Sequence, residues 1–144
     1  MICETCSTNG LATKNEPAGI SGAGDRERLQ GIWLAVLANR SGEEADYLTG
    51  QRLAFLNDRF VIRGEKGDVI FRGTYRLNAD ADPPQIDFVH RRDALQGTTW
   101  KGVYQLNGNG LRICDNAPDP NGDRPNDLQS RPGSGSVSIL FRRL

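Results

Sequence analysis

His90 is the only histidine in the chain. A neutral imidazole that titrates near neutrality can serve as a general base or as a metal ligand. His90 closes the segment Gln85–His90, on the same side as Ile86 and Phe88, and period-2 alternation directs that side inward. Cys114 and Asp115 close a second segment of this kind, Leu111–Asp115. A thiol becomes a nucleophile when a neighbouring base lowers its pKa, and His90 is the one histidine able to do so. His90, Cys114 and Asp115 are therefore the candidate catalytic residues, as a hydrolase site with His90 as base. The parity of Leu111 and Ile113 weighs against Cys114, because it turns that thiol outward or under the loop that follows. In that setting a thiol is a small buried apolar group.

Other reactive patterns are weaker. Cys3 and Cys6 form a Cys-x-x-Cys, but no second Cys/His pair completes a zinc site and no βα unit frames a redox pair. The run Asp115 to Asp123 is acidic, yet it lacks the ligand order and the closing Glu of an EF-hand. No metal and no cofactor are expected. There is no phosphate-binding glycine loop, no nucleophile elbow and no readable catalytic carboxylate pair; Asp87 and Asp93 stand in different settings.

Apolar chemistry is better represented. Phe71, Tyr75, Trp100 and Tyr104 fall on inward rows, where they would line a pocket with hydroxyl handles or fill the space. Arg40, Arg63, Arg91 and Arg92 fall near strand ends, where they would ring a mouth and receive an anionic group.

The elements that position these residues are short strands. Apolar runs separated by turn residues define Ile32–Ala38, Arg52–Leu56, Arg59–Arg63, Val69–Leu77, Gln85–His90, Thr98–Leu106, Leu111–Asp115 and Val137–Arg143. Asn57-Asp58, Gly64-Glu65-Lys66-Gly67 and Asn107-Gly108-Asn109-Gly110 supply hairpin chemistry. Eight closely spaced strands predict an all-β, antiparallel, up-and-down barrel, which leaves no open edge. The long connections, 39–51, 91–97 and 116–136, then leave odd-numbered strands and gather at one rim. Residues 25–30 predict a short helix with Asp25 as N-cap, and residues 1–24 predict a disordered tail.

Bulk properties bound the function. The chain has 144 residues, one domain's worth, with 18 basic and 18 acidic residues. Zero net charge argues against nucleic acid or an anionic membrane as partner. No apolar run approaches the roughly 18 residues of a membrane helix. Three cysteines and no visible secretory leader point to a cytoplasmic protein.

One pairing is specific. Gly31-Ile32-Trp33 opens the first strand, and Arg142 and Arg143 close the last. This resembles the lipocalin arrangement, in which a Gly-x-Trp tryptophan plugs the barrel floor and a late arginine stacks over it. The stretch from Leu29 to Leu144, about 116 of 144 residues, is similar to a family of lipocalin-like domains abundant in planctomycete bacteria. The similarity rests on Leu29-Gln30-Gly31-Ile32-Trp33, Arg72-Gly73-Thr74-Tyr75, Gln85-Ile86-Asp87, Lys101-Gly102-Val103-Tyr104-Gln105-Leu106, Leu111-Arg112-Ile113-Cys114, Arg124-Pro125 and Arg131-Pro132-Gly133-Ser134-Gly135. It implies the fold and carries no agreed activity. The family usually has Thr and Asp-Gly after the Ile-Asp pair, where this chain has Phe88-Val89-His90-Arg91-Arg92, so a role for His90 is peculiar to this sequence.

Three functions follow. A binding module would take a small apolar or amphipathic molecule at the long-loop end, touching Phe71, Tyr75, Trp100, Tyr104 and Arg63. A hydrolase would bring His90 to Cys114, Asp115 or Asp87. A ligandless interaction domain would show a packed interior and an exposed apolar patch.

Overall fold

The computed structural model describes residues 21–144. Cys3, Cys6 and the first twenty residues of the expected tail lie outside the described residues. A helix, α1 (Ser21–Leu29), leads into β1 (Gly31–Arg40). The remaining strands are β2 (Glu43–Glu44), β3 (Arg52–Leu56), β4 (Arg59–Arg63), β5 (Val69–Asn78), β6 (Gln85–His90), β7 (Thr99–Asn107), β8 (Gly110–Asp115) and β9 (Val137–Arg143). Consecutive strands pair antiparallel from β3 to β9, β1 pairs β3, and the β1–β9 ladder closes the cylinder. The eight-stranded barrel is thus formed, with each expected strand in place. The two-residue β2 is an addition that pairs with the end of β1.

The helix begins four residues before the expected start, so Asp25 lies inside it and is not its N-cap. The Asp25 carboxylate is engaged elsewhere: it pairs with Arg28 and accepts the Tyr104 hydroxyl at 2.5 Å.

The floor is built around Trp33, which is fully buried. Its indole N–H donates to Leu29 O at 2.8 Å, and the Arg143 guanidinium lies 4.2 Å from the ring centroid. Arg143 also donates to Gln30 O at 2.9 Å and to Arg28 O. Stacking and charge-assisted hydrogen bonds therefore join the last strand to the turn that follows the helix. Gly31 makes this turn with φ +118°, a conformation costly for other residues, and a Cβ there would stand 3.4 Å from Arg143 Nη1. Arg142 takes no part in the floor. It pairs with Leu34, one step out of phase with Trp33↔Arg143, and is exposed.

Alternation fails in β1, as it also does where β5 skips Ile70 against β4. The register of β1 against β9 shifts between Ala35 and Leu37, which returns Ala38 to the inside while Val36 and Leu37 are exposed. This bulge bends β1 away from β3. Their ladder ends at Leu34↔Arg52, and the gap above it is filled by a 3-10 turn at Asp46–Leu48.

The loop 116–136 lies against the outer wall. Asn116 Oδ1 accepts the Lys101 N–H at 2.8 Å, Ser138 Oγ donates to Leu128 O at 2.7 Å, and Arg124 bonds Asp87 at 2.7 Å and Gly102 O at 2.9 Å. Val103, Cys114 and Ser138 are consequently buried although they face away from the lumen.

Candidate functional site

Below the long-loop rim the lumen holds a cavity of about 330 Å³. Leu53, Ile62, Phe71, Phe88, Trp100 and Ile113 supply part of its wall, and Val137, Ile139 and Phe141 of β9 supply another part. Tyr47 and Leu48 of the 3-10 turn, with Ala117 and Pro118 after β8, stand around it. Arg40 and Asp115 are its charged members. Pockets for small ligands span about 300–1,000 Å³ and combine apolar walls with a few fixed polar groups, so this cavity lies at the small end of that range.

Of the residues expected to line a ligand site, Phe71 and Trp100 do so. Tyr75 and Tyr104 do not; they belong to the floor. Tyr75 donates to Asn57 O at 2.7 Å and receives a hydrogen bond from Gln30 Nε2 at 3.0 Å, and Tyr104 bonds Asp25. Burial raises the pKa of both phenols, in Tyr104 with reinforcement from the Asp25 carboxylate. All four aromatic residues share inward parity, but parity fixes the side of a wall and not the height along the barrel axis.

The expected arginine ring reduces to Arg40. Arg63 is exposed and donates to Gly67 O at 2.9 Å. Arg92 donates to Val69 O at 2.6 Å. Arg91 belongs, with Arg59 and Arg72, to a separate groove beside Gly73.

His90 faces inward but does not line the cavity. It is 1 % exposed, and its ring centroid lies 4.0 Å from that of Trp100, 5.4 Å from Phe60 and 5.6 Å from Phe71. Burial lowers its pKa to about 4. Its Nε2 and the Trp100 Nε1 are enclosed with no hydrogen-bond partner among the described residues.

The catalytic grouping expected for a hydrolase is not assembled. Cys114 stands on the opposite face of the wall, in register with Val103 and Ser138. Burial pushes its thiol up to about 11, outweighing a hydrogen bond from Ser136. Asp115 is level with Gly102, and Gly102 with Ile86, which places His90 four residues further along β6. Asp87 is bound to Arg124 on the outer wall. Among the described residues, no group of three or more His, Cys, Asp or Glu side chains is arranged to hold a metal.

Asp115 is 7 % exposed, inward-facing and part of the cavity wall. Its Oδ1 accepts the Ala117 N–H at 3.0 Å. Burial pushes its carboxyl up to about 7, partly offset by that one hydrogen bond. It is a buried carboxyl in a mostly apolar cup.

The reading of Phe71 and Trp100 from strand parity extends to Ile113, Asp115, Ile139 and Phe141, whose alternation carries the same signal. Tyr47 and Leu48 carry no such signal, because they enter through the gap that the β1 bulge opens.

No family model matches the chain, and neither curated proteins nor solved structures give a significant match. The class of protein is therefore defined by the fold: a closed eight-stranded antiparallel barrel with a stacked Trp–Arg floor and a largely apolar cavity at the other end. Among the described residues no helix is long and apolar enough to cross a membrane.

Proposed function

We propose that this barrel is a lipocalin-like binding module that admits one small apolar or amphipathic molecule at its long-loop end. The observation that carries the reading is the cavity of about 330 Å³ between an aromatic and aliphatic wall and the connections around Tyr47 and Pro118. Burying apolar ligand surface there is worth about 25 cal/mol per Å², which supports binding without many polar contacts. Kinship with the planctomycete-type lipocalin-like domains is part of the same reading, supported by the motif set between Leu29 and Gly135. A cytosolic setting belongs to it as well, supported by Cys114, which is a free thiol among the described residues.

The test is a fluorescence titration of the full chain with the neutral probe N-phenyl-1-naphthylamine, with 1-octanol as competitor. Saturable enhancement that 1-octanol reverses is expected. Ile139→Trp, which places an indole in the cavity, is expected to weaken the probe at least about tenfold while the barrel stays folded. Enhancement that never saturates, or that Ile139→Trp leaves untouched, contradicts the proposal.

A further inference from the structure

Asp115 is the carboxylate of the cavity wall, and among the described residues no ion pair neutralises it. The rung Asp115–Val137–Arg40 crosses β8, β9 and β1, so Arg40 is two strands away, about 10 Å at the backbone. The Arg40 guanidinium donates to the Tyr47 hydroxyl at 3.3 Å, and among the described residues no ion pair joins it to Asp115. From β7, Gly102 faces Asp115 directly and Trp100 diagonally, while Lys101 alternates to the other face. The following loop brings Ala117 and Pro118. Cys114 faces away from the lumen, and His90 stands four residues up β6. The Ala117 N–H occupies Oδ1, and no hydrogen bond among the described residues engages Oδ2.

An apolar cup with one buried, half-satisfied carboxylate calls for a ligand donor. A cationic donor gains most, because attraction is strong where water is excluded and the cation of the cavity wall, Arg40, is engaged with Tyr47. Trp100 next to Asp115, with Phe71 and Phe141 in the same wall, adds ring faces that favour an organic ammonium. An anionic head would be repelled by ionised Asp115 and would find only Arg40, which is exposed.

We infer that the cavity selects amphipathic amines, with the ammonium nitrogen docked on Asp115 Oδ2 and the hydrocarbon among Phe71, Trp100 and Phe141. This inference rests on the binding-module reading above and adds the head-group chemistry to it.

The experiment competes the bound naphthylamine probe with three matched ligands, n-octylammonium, 1-octanol and octanoate, on the full chain at about pH 8. The ammonium is expected to bind at least about tenfold tighter than the alcohol, and octanoate weakest. Asp115→Asn keeps an oxygen for the Ala117 N–H. It is expected to bring the ammonium to within about twofold of the alcohol. Arg40→Gln is expected to preserve the ammonium preference. Between about pH 5.5 and about pH 8.5 ammonium affinity should rise about thirtyfold as Asp115 ionises, and alcohol affinity should not. Octanol binding with no ammonium preference, a preference that survives Asp115→Asn, or octanoate binding as tight as the ammonium would each overturn the inference and leave the binding module standing. Failure of all three ligands to bind would overturn both.

Discussion

His90 and Asp115 set up opposing pH dependences of stability that variants can separate. His90 is 1 % exposed and Asp115 7 %, so solvent screens neither appreciably. Burial lowers His90 from 6.5 to about 4, so between these values the unfolded chain holds a proton that the folded chain does not. Stability from His90 is therefore complete above about pH 6.5 and is lost as the pH falls toward about 4, by roughly 3 kcal/mol at 1.36 kcal/mol per pH unit. Burial raises Asp115 from 3.8 to about 7, so here the folded chain holds the extra proton. Stability from Asp115 is complete below about pH 3.8 and is lost as the pH rises through about 7, by roughly 4 kcal/mol. Between about pH 4 and about pH 6.5 the two slopes oppose and nearly cancel. Urea unfolding of the native protein, His90→Phe and Asp115→Asn across this range reads the difference directly. The stability of the native protein relative to His90→Phe should rise by roughly 3 kcal/mol from pH 4 to 6.5, and relative to Asp115→Asn it should fall by roughly 4 kcal/mol from pH 4 to 7. Phenylalanine suits the site, since Phe60, Phe71 and Trp100 already surround it. Parallel profiles for the native protein and either variant would refute the assigned burial of that group.

Arg143→Ala removes both the stack on Trp33 and the bonds to Gln30 O and Arg28 O, and is expected to cost about 2–4 kcal/mol in urea unfolding, whereas Arg142→Ala should stay within about 0.5 kcal/mol. Gly73→Ala would set a methyl 1.9 Å from Val89 O and should lower the melting temperature more than any exposed-strand alanine substitution. Cys114 is fully enclosed with its thiol pushed up to about 11. In a Cys3→Ser/Cys6→Ser background it should resist an aromatic disulfide reagent at pH 8 until denaturant is added; immediate labelling in the folded state would contradict its placement.

Much of the barrel is written locally. Strand positions follow from period-2 runs such as Val69–Leu77 and from turn residues such as Asn107-Gly108, because alternation and turn chemistry act over a few residues. The floor was expected from the lipocalin resemblance of Gly31-x-Trp33 and the terminal arginines, and the β1–β9 ladder sets Arg143 beside Trp33. What escaped is non-local. The bulge at Val36 shows itself only in the pairing of β1 with β9, and no property of Val36 announces it. The height of Tyr75 and Tyr104 depends on the register of neighbouring strands with the helix beneath them, so inward residues became floor and not cavity. His90 is sealed by Phe60, Phe71 and Trp100 from three other strands, which turns a candidate base into a core imidazole. Asp115 stood out for its place beside Cys114, and the structure separates the two by face: one meets the lumen, the other the strap of residues 116–136.

The most direct test of a ligand-admitting barrel end is heteronuclear NMR with 1-octanol titrated into the full chain. Saturable shifts should concentrate at Trp100, Ile113, Ala117, Ile139 and Phe141, with Tyr75, Tyr104 and Trp33 unmoved. Shifts that do not saturate, or that gather on the outer wall at Arg59 and Arg72 while the lumen stays silent, would contradict it.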